Sequence, residues 1–417
     1  MAVSFEILAR ASATSARLGR LTTPHGAFET PAFMPVATAG AMKGLTPSQV
    51  RDSGARCILN NAYHLMLRPG AERVRRFGGV HSFMRWDGPI LTDSGGFQAF
   101  SMSAGSDIDE NGVTFRSFVD GSRVHLGPES SMRVQNDLGA DIIMAFDDCP
   151  PADPSSAAPG DDDAIDEPTS ALPPRRASST APPSTLRASR VRVPADAAAR
   201  RREATDRTSR WLHRCIAAHR RPDEQALFGI VQGGTDLDLR RASIDSICDT
   251  DLPGYAIGGV AVGEPSQEIS RVVRFTAPLL PESKPRYLMG VGYERDLVMA
   301  VESGVDLFDC VLPTRSGRNA LVFTRTGPLR LRNAAFADDA APIDETCDCE
   351  ACRCGFGRGY LRHLFLAGEM LGPILASMHN LRHYQRLLLD IRSAIRDDAW
   401  SSVRRAWPCS APPTEGP

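Results

Sequence analysis

PILTDSG (residues 89–95) is a short apolar run that stops on an aspartate and a glycine. Seven more runs of the same kind recur along the chain: AFMPVA (32–37), CILNNAY (57–63), DIIMAFD (141–147), LFGIVQG (227–233), YAIGGVA (255–261), RYLMGVG (286–292) and DLFDCVLP (306–313). Most end in Gly, Asn or Asp and lead into a helical pattern. Near-continuous apolar strands alternating with helices describe a parallel sheet covered by helices. Eight of them in one unit predict a (β/α)8 TIM barrel, whose chemistry sits at the C-terminal ends of the strands. An open doubly wound sheet is the alternative, but no glycine-rich dinucleotide turn follows the first strand.

The remaining chain divides around this unit. Residues 1–346 are expected to form the barrel and 347–400 a zinc-binding helical subdomain, with 401–417 a flexible tail. From about 152 to 194 the sequence is rich in Pro, Ser and Ala, with an acidic cluster and scattered arginines. It has no apolar periodicity to offset its ordering entropy, so disorder is expected there. Asp196 to Arg220 reads as one helix with Trp211, Leu212, Cys215 and Ile216 on its apolar side.

Bulk properties narrow the function class. Of 417 residues, 42% are hydrophobic and 24% charged, as in an ordinary soluble globular protein. The net charge of −2 excludes a uniformly basic surface but allows a local basic stripe for RNA. Ten cysteines are too few in this length for a disulfide scaffold, and Cys57, Cys248 and Cys310 sit singly in apolar runs, as reduced core thiols do. The N-terminus lacks a long apolar stretch, and no run of ~18 apolar residues occurs. A cytoplasmic enzyme without a membrane span is expected.

Three groups of residues carry chemistry. Cys347, Cys349 and Cys352 place three thiolates in one tight loop, and a downstream histidine can close a tetrahedron around zinc. Cys354 and His363 compete for the fourth position; His379, in the helical stretch MHNLRHYQ, is favoured. Four protein ligands leave no open position, so one structural Zn2+ is expected. The second group is a pair of carboxylates, Asp93 in LTDSGGFQAF and Asp309 in DLFDCVLPTRSGR, each at a strand end. Facing carboxylates divide into a nucleophile and an acid/base at an anomeric carbon. Gly95 and Gly96 let backbone approach a ligand. The third group lies at neighbouring strand ends. Asp147 beside Asp148 and Cys149, Gln232, and the Gly258–Gly259 pair suit a purine-like edge, and Phe97 and Met289 suit a slot for a flat ring. Arg315 and Arg318, with Arg286, Arg295, Arg330 and Arg332, form a basic stretch suited to a phosphate backbone.

Together DSGGFQ, FDDC, the QGG after LFGIV, GGVAVGE, YLMGVG, DLFDCVLPTRSGR and CDCEAC with a late His resemble the tRNA-guanine transglycosylase (queuine tRNA-ribosyltransferase) family, from about Phe28 to Arg392. The resemblance implies exchange of the wobble guanine of G-U-N tRNAs (the Asp, Asn, His and Tyr acceptors) for a 7-deazaguanine, in queuosine biosynthesis, by a homodimer. It makes Asp309 the nucleophile at ribose C1′ and Asp93 the acid/base. Asp93, Ser94, Gly95, Gly96, Phe97, Asp147, Cys149, Gln232, Gly259 and Met289 would bind the base. Gly290, Val291, Gly292, Tyr293, Glu294, Arg295 and Asp296, with Thr314, Arg315, Ser316, Gly317 and Arg318, would contact the anticodon. Cys149 and Val262 resemble bacterial members that use 7-aminomethyl-7-deazaguanine (preQ1), which is favoured over queuine, although residues 211–228 look more like the eukaryotic catalytic subunit. Two other readings stand beside this one: a zinc-containing TIM-barrel glycosidase or nucleosidase, and a non-catalytic RNA-binding subunit.

Overall fold

The computed structural model describes residues 2–101, 107–150 and 196–411. The eight expected runs form eight parallel strands: β1 (Ala32–Ala37), β2 (Ile58–Asn60), β3 (Ile90–Thr92), β4 (Ile142–Met144), β5 (Ala226–Val231), β6 (Gly254–Ile257), β7 (Arg286–Leu288) and β8 (Leu307–Cys310). They pair in chain order and close on themselves where Leu307 to Cys310 lies beside Ala32 to Pro35. The fold is therefore the expected (β/α)8 barrel. Most of the β-branched and apolar residues of these strands are buried because helices cover the outside while side chains fill the inside. Met34, Leu59, Leu91, Met144, Phe228, Ile230 and Tyr287 form the interior, and Leu21 and Phe28 of an N-terminal antiparallel sheet plug its base.

The base is tied by buried charge. Arg17 donates to both oxygens of Asp306, at 2.9 Å from Nε and 2.5 Å from Nη2. Arg286 belongs to this end as well: its backbone N–H donates to Asp306 at 2.7 Å, and its Nη2 to the Leu280 carbonyl at 2.6 Å. Its expected place in a basic stretch near the second carboxylate is thus corrected, since it opens β7 at the end opposite the chemistry.

Four helices matter for the site: α1 (Ala197–Ala218), α2 (Leu237–Cys248), α3 (Leu312–Arg318) and α4 (Leu371–Arg396). The Asp196 side chain caps α1 by accepting the Ala199 N–H at 2.9 Å. Trp211, Leu212 and Cys215 are buried as expected, but Ile216 lies just past the buried stripe and is 36% exposed. Beyond α4, residues 401–411 do not form the expected flexible tail. A short helix (Ser401–Ala406) leads to Trp407, which is fully buried, donates to Asp390 at 3.0 Å and stacks under Arg325. The indole's burial anchors this end. The apolar cluster around the cysteines takes in Ala320, Val322, Leu331 and Ile343, so the boundary expected at 346/347 falls inside that module. The insert expected at 152–194 and the tail end at 412–417 lie outside the described residues. Among the described residues, no helix is long and apolar enough to cross a membrane.

Candidate active site and metal centre

A cavity of about 900 Å3 opens at the C-terminal ends of the strands, and Asp93 and Asp309 both line it. Asp93 leaves the end of β3. Its Oδ1 accepts the Ala62 N–H and its Oδ2 the Asn61 amide, both at 2.7 Å. Burial, offset in part by the Ala62 N–H and reinforced by the charges of Asp309 and Asp147, pushes its carboxyl up to about 7. Asp309 lies on β8, where its Oδ1 accepts the Tyr287 hydroxyl at 2.5 Å and the Gly290 N–H at 2.9 Å. Burial also holds this carboxyl above its usual range. Two carboxylates that sense each other across one cavity, one poised near neutrality and one braced on a single oxygen, suit acid/base and nucleophilic roles.

The neighbouring strand ends build a recessed polar wall. Asp147 accepts Gln232 Nε2 at 2.7 Å and Ser94 Oγ at 3.3 Å. Its carboxyl rises to about 6, chiefly through burial and then the charge of Asp148. Gln232 Oε1 is buried without a partner among the described residues. Gly259 has φ +60°, and a Cβ there would stand 2.1 Å from that oxygen, so only glycine fits. Gly95 (φ +79°) and Gly96 carry the turn behind Asp93, and a Cβ on Gly96 would meet the Asp147 carbonyl at 2.9 Å. Ser94, Phe97, Cys149, Gly259 and Met289 line the cavity with the three aspartates; Gln232 stands one layer behind.

Several participants were not expected from sequence. Tyr287 and Asn61 hold the two carboxylates. Arg240 of α2, fully buried, donates to the carbonyls of Gly234, Val231 and Gly259 at 2.9, 3.1 and 3.0 Å, fixing the ends of β5 and β6. Lys43 and His64 also line the mouth. Only Tyr287 carried a signal: it is the aromatic of RYLMGVG, two positions before Met289.

The rim residues separate into two sets. Gly290, Thr314, Arg315 and Arg318 line the cavity. Val291, Glu294, Asp296, Ser316 and Gly317 are buried, and Glu294 pairs with His383 at 2.8 Å. These buried side chains pack the rim segments in which the anticodon contacts are expected. A Cβ on Gly292 would meet Cys310 Sγ at 2.7 Å, and Arg295 packs over the Tyr293 ring. Arg332 packs on Phe365 of the metal module, and neither it nor Arg330 reaches the cavity.

In the metal module Cys347, Cys349, Cys352 and His379 bring four ligand atoms within 4.8 Å of one another. His379 Nδ1 is 3.3 Å from Cys352 Sγ and 3.6 Å from Cys349 Sγ. The other ring nitrogen is 2.7 Å from the Phe323 carbonyl, which fixes it as the protonated one and frees Nδ1 for a metal. Cys354 and His363 are both exposed and outside the cluster. The set can hold a metal ion with no open position. A second grouping, His25, His81 and Asp141 at the barrel base, also brings three ligand atoms within 4.8 Å of one another. Its imidazoles stack 3.5 Å apart at 12°, so their in-plane lone pairs cannot converge on one ion.

Comparison with known proteins agrees with this geometry. A family model described as queuine tRNA-ribosyltransferase matches residues 12–160 and 189–412. A queuine tRNA-ribosyltransferase of Symbiobacterium thermophilum is 49% identical over 407 residues, covering 98% of this chain and 91% of its own length. One from Thermus thermophilus is 50% identical over 401 residues, covering 96% and 92%, and one from Acetivibrio thermocellus is 47% identical, covering 95% of each chain.

Proposed function

This chain belongs to the queuine tRNA-ribosyltransferase family, and we propose that it exchanges the wobble guanine of G-U-N tRNAs for a 7-deazaguanine through a covalent Asp309–ribosyl intermediate. The observation that carries this reading is the pairing of Asp93 and Asp309 in one cavity with unequal surroundings. Tyr287 and Gly290 hold Asp309 Oδ1, which leaves Oδ2 to attack C1′ of the flipped nucleotide. The C1′–N9 bond breaks, its electron pair stays on guanine, and Asp93 in its protonated form supplies the proton. The incoming base then returns its N9 proton to Asp93, its nitrogen attacks C1′, and the Asp309 carboxylate departs. One glycosidic bond replaces another, so no ATP is consumed.

Asp147, the Gln232 amide and the Gly259 N–H read the base edge, with Phe97 and Met289 on its faces; the orphaned Gln232 Oε1 supports this assignment. Arg315 and Arg318, on the cavity rim, take the anticodon phosphates. Zn2+ would be held by Cys347, Cys349, Cys352 and His379, where it supplies a cross-link and no step of the reaction. PreQ1 is the preferred base, since Cys149 and Val262 both line the cavity. The tRNA substrates are the Asp, Asn, His and Tyr acceptors. Exposed Leu366, Met370 and Leu371 on the metal module support a homodimer, working in the cytoplasm.

The test is release of labelled guanine from a G-U-N tRNA with preQ1 and queuine supplied side by side. Release that requires preQ1 supports the reading. Release without any added base would make the protein a nucleosidase, and tight binding without release a non-catalytic subunit.

A further inference from the structure

The helix that carries the metal-ligating histidine also grips the rim of the active site. Asn380, next to His379 on α4, is completely buried. Its Nδ2 donates to the carbonyls of Pro313 and Leu321, both at 2.9 Å, and its Oδ1 accepts the Phe323 N–H at 3.0 Å. Pro313 lies in the first turn of α3 and Leu321 just past its end. One side-chain amide therefore holds both ends of the short helix that carries Arg315 and Arg318.

The crossing is close because of two further residues. A Cβ on Gly317 of α3 would stand 2.7 Å from the Ser377 backbone nitrogen of α4, so only glycine allows this approach. His379 binds the carbonyl of Phe323 while Asn380 takes the N–H of the same residue, so the metal ligand and the amide clamp one strand between them. His383, one turn on, bonds Glu294 in the other rim segment.

We infer that Asn380 is a positioning residue for the RNA: it sets α3 against the metal-clipped helix so that Arg315 and Arg318 are presented to the anticodon, and it does so without touching the base pocket. The three aspartates of the cavity are held by barrel strands and by Tyr287, Asn61 and Gln232, none of which Asn380 contacts. The metal module thus determines how tightly tRNA is held, separately from how the base is read. This inference rests on the exchange reaction proposed above.

The test uses the full-length, metal-loaded enzyme with Asn380→Ala, assayed for KM of tRNA, KM of the free deazaguanine and bound metal. Two carbonyls and the Phe323 N–H left without a partner in a buried crossing should raise the tRNA KM by at least about ten-fold. The KM of the deazaguanine and the metal content should match the parent. Gly317→Ala perturbs the same crossing from the other side and should give the same split, which keeps the test available if Asn380→Ala does not fold. Equal rises in both KM values, an unchanged tRNA KM in either variant, or loss of metal from Asn380→Ala would overturn the inference. Failure of the reaction reading is distinguished from this by the parent enzyme, which would then release no guanine at all.

Discussion

The Tyr287 hydroxyl sits 2.5 Å from Asp309 Oδ1, and the Gly290 N–H reaches the same oxygen from the other side. Both donors lie on or just after β7, the neighbour of β8, so the barrel's own strand pairing braces one oxygen of the Asp309 carboxylate and leaves the other for the cavity.

Asp309→Asn should abolish a denaturation-resistant adduct between protein and tRNA, because an amide cannot form the ribosyl ester. Tyr287→Phe should still form that adduct, but at a rate lower by about ten-fold, the cost of losing a hydrogen bond to a charged acceptor. Gel analysis of enzyme and labelled tRNA after denaturation reads both. An adduct that persists in Asp309→Asn removes Asp309 from the nucleophilic role.

The elevated Asp93 carboxyl sets a pH limb. In the proposed exchange Asp93 must be ionised to take the N9 proton of the incoming base, and burial pushes its carboxyl up to about 7. Turnover at subsaturating base should therefore fall as pH drops through about 7, and the need for a protonated Asp93 when guanine leaves should make it fall again on the alkaline side. Asn61→Ala removes a donor that favours the charged carboxylate, so its limb should move to higher pH. A limb that stays in place in that variant would separate the titration from Asp93.

The same elevation has a stability consequence of opposite benefit. An acid whose folded value lies above its unfolded value binds more protons in the native state, so its ionisation destabilises the fold as pH rises from about 4 to above 7. Asp93→Asn carries no such charge. Its unfolding free energy relative to the parent should improve across that interval by a few kcal/mol, at about 1.4 kcal/mol for every tenfold difference between the folded and unfolded acid constants. Denaturant melts at pH 5 and pH 8 measure it; a pH-independent difference would contradict the burial argument.

Much of this was legible because strands buried on both faces leave a distinctive apolar run, and all eight were readable. The carboxylates were readable for the same reason: a barrel puts polar strand ends at one face, so Asp93, Asp147 and Asp309 were marked by position. Arg240 and Asn380 were not, since their partners are backbone carbonyls brought close only by the closed barrel and the α3–α4 crossing. A continuous string of rim residues reads as a row of contacts, whereas helical geometry sends Ser316 and Gly317 inward while Arg315 and Arg318 reach the cavity. Trp407 overrode the Pro-rich composition of the C-terminal segment.

The metal cluster predicts a selective loss. His379→Ala removes one of four converging ligands and the bond to the Phe323 carbonyl, so metal content and thermal stability should both fall. Cys354→Ser alters an exposed thiol outside the cluster and should leave both unchanged. Metal analysis by mass spectrometry after dialysis, with parallel melting curves, distinguishes them. Full occupancy in His379→Ala would reassign the fourth ligand.

Asp148 gives the last prediction. Its carboxylate, with its side chain 1% exposed, accepts Arg200 at 2.6 and 2.9 Å and Arg207 at 2.6 Å, while its N–H donates to Thr208 at 3.1 Å. This ties the end of β4, which bears Asp147, directly to α1, so the two are joined by an ionic clasp as well as by the intervening chain. Deleting residues 155–192 should then leave turnover and the KM of the base near the parent values, because the clasp holds the pocket wall without that segment. Asp148→Ala should instead deprive Arg200 of its carboxylate beside a buried site, while Arg207 keeps Glu203 at 3.1 Å, at a cost of about 3 kcal/mol. It should also lower the Asp147 carboxyl by removing the neighbouring charge. Steady-state kinetics and melts of the two variants check this; a deletion that lost most turnover, with Asp148→Ala unaffected, would reverse the assignment of which element shapes the pocket.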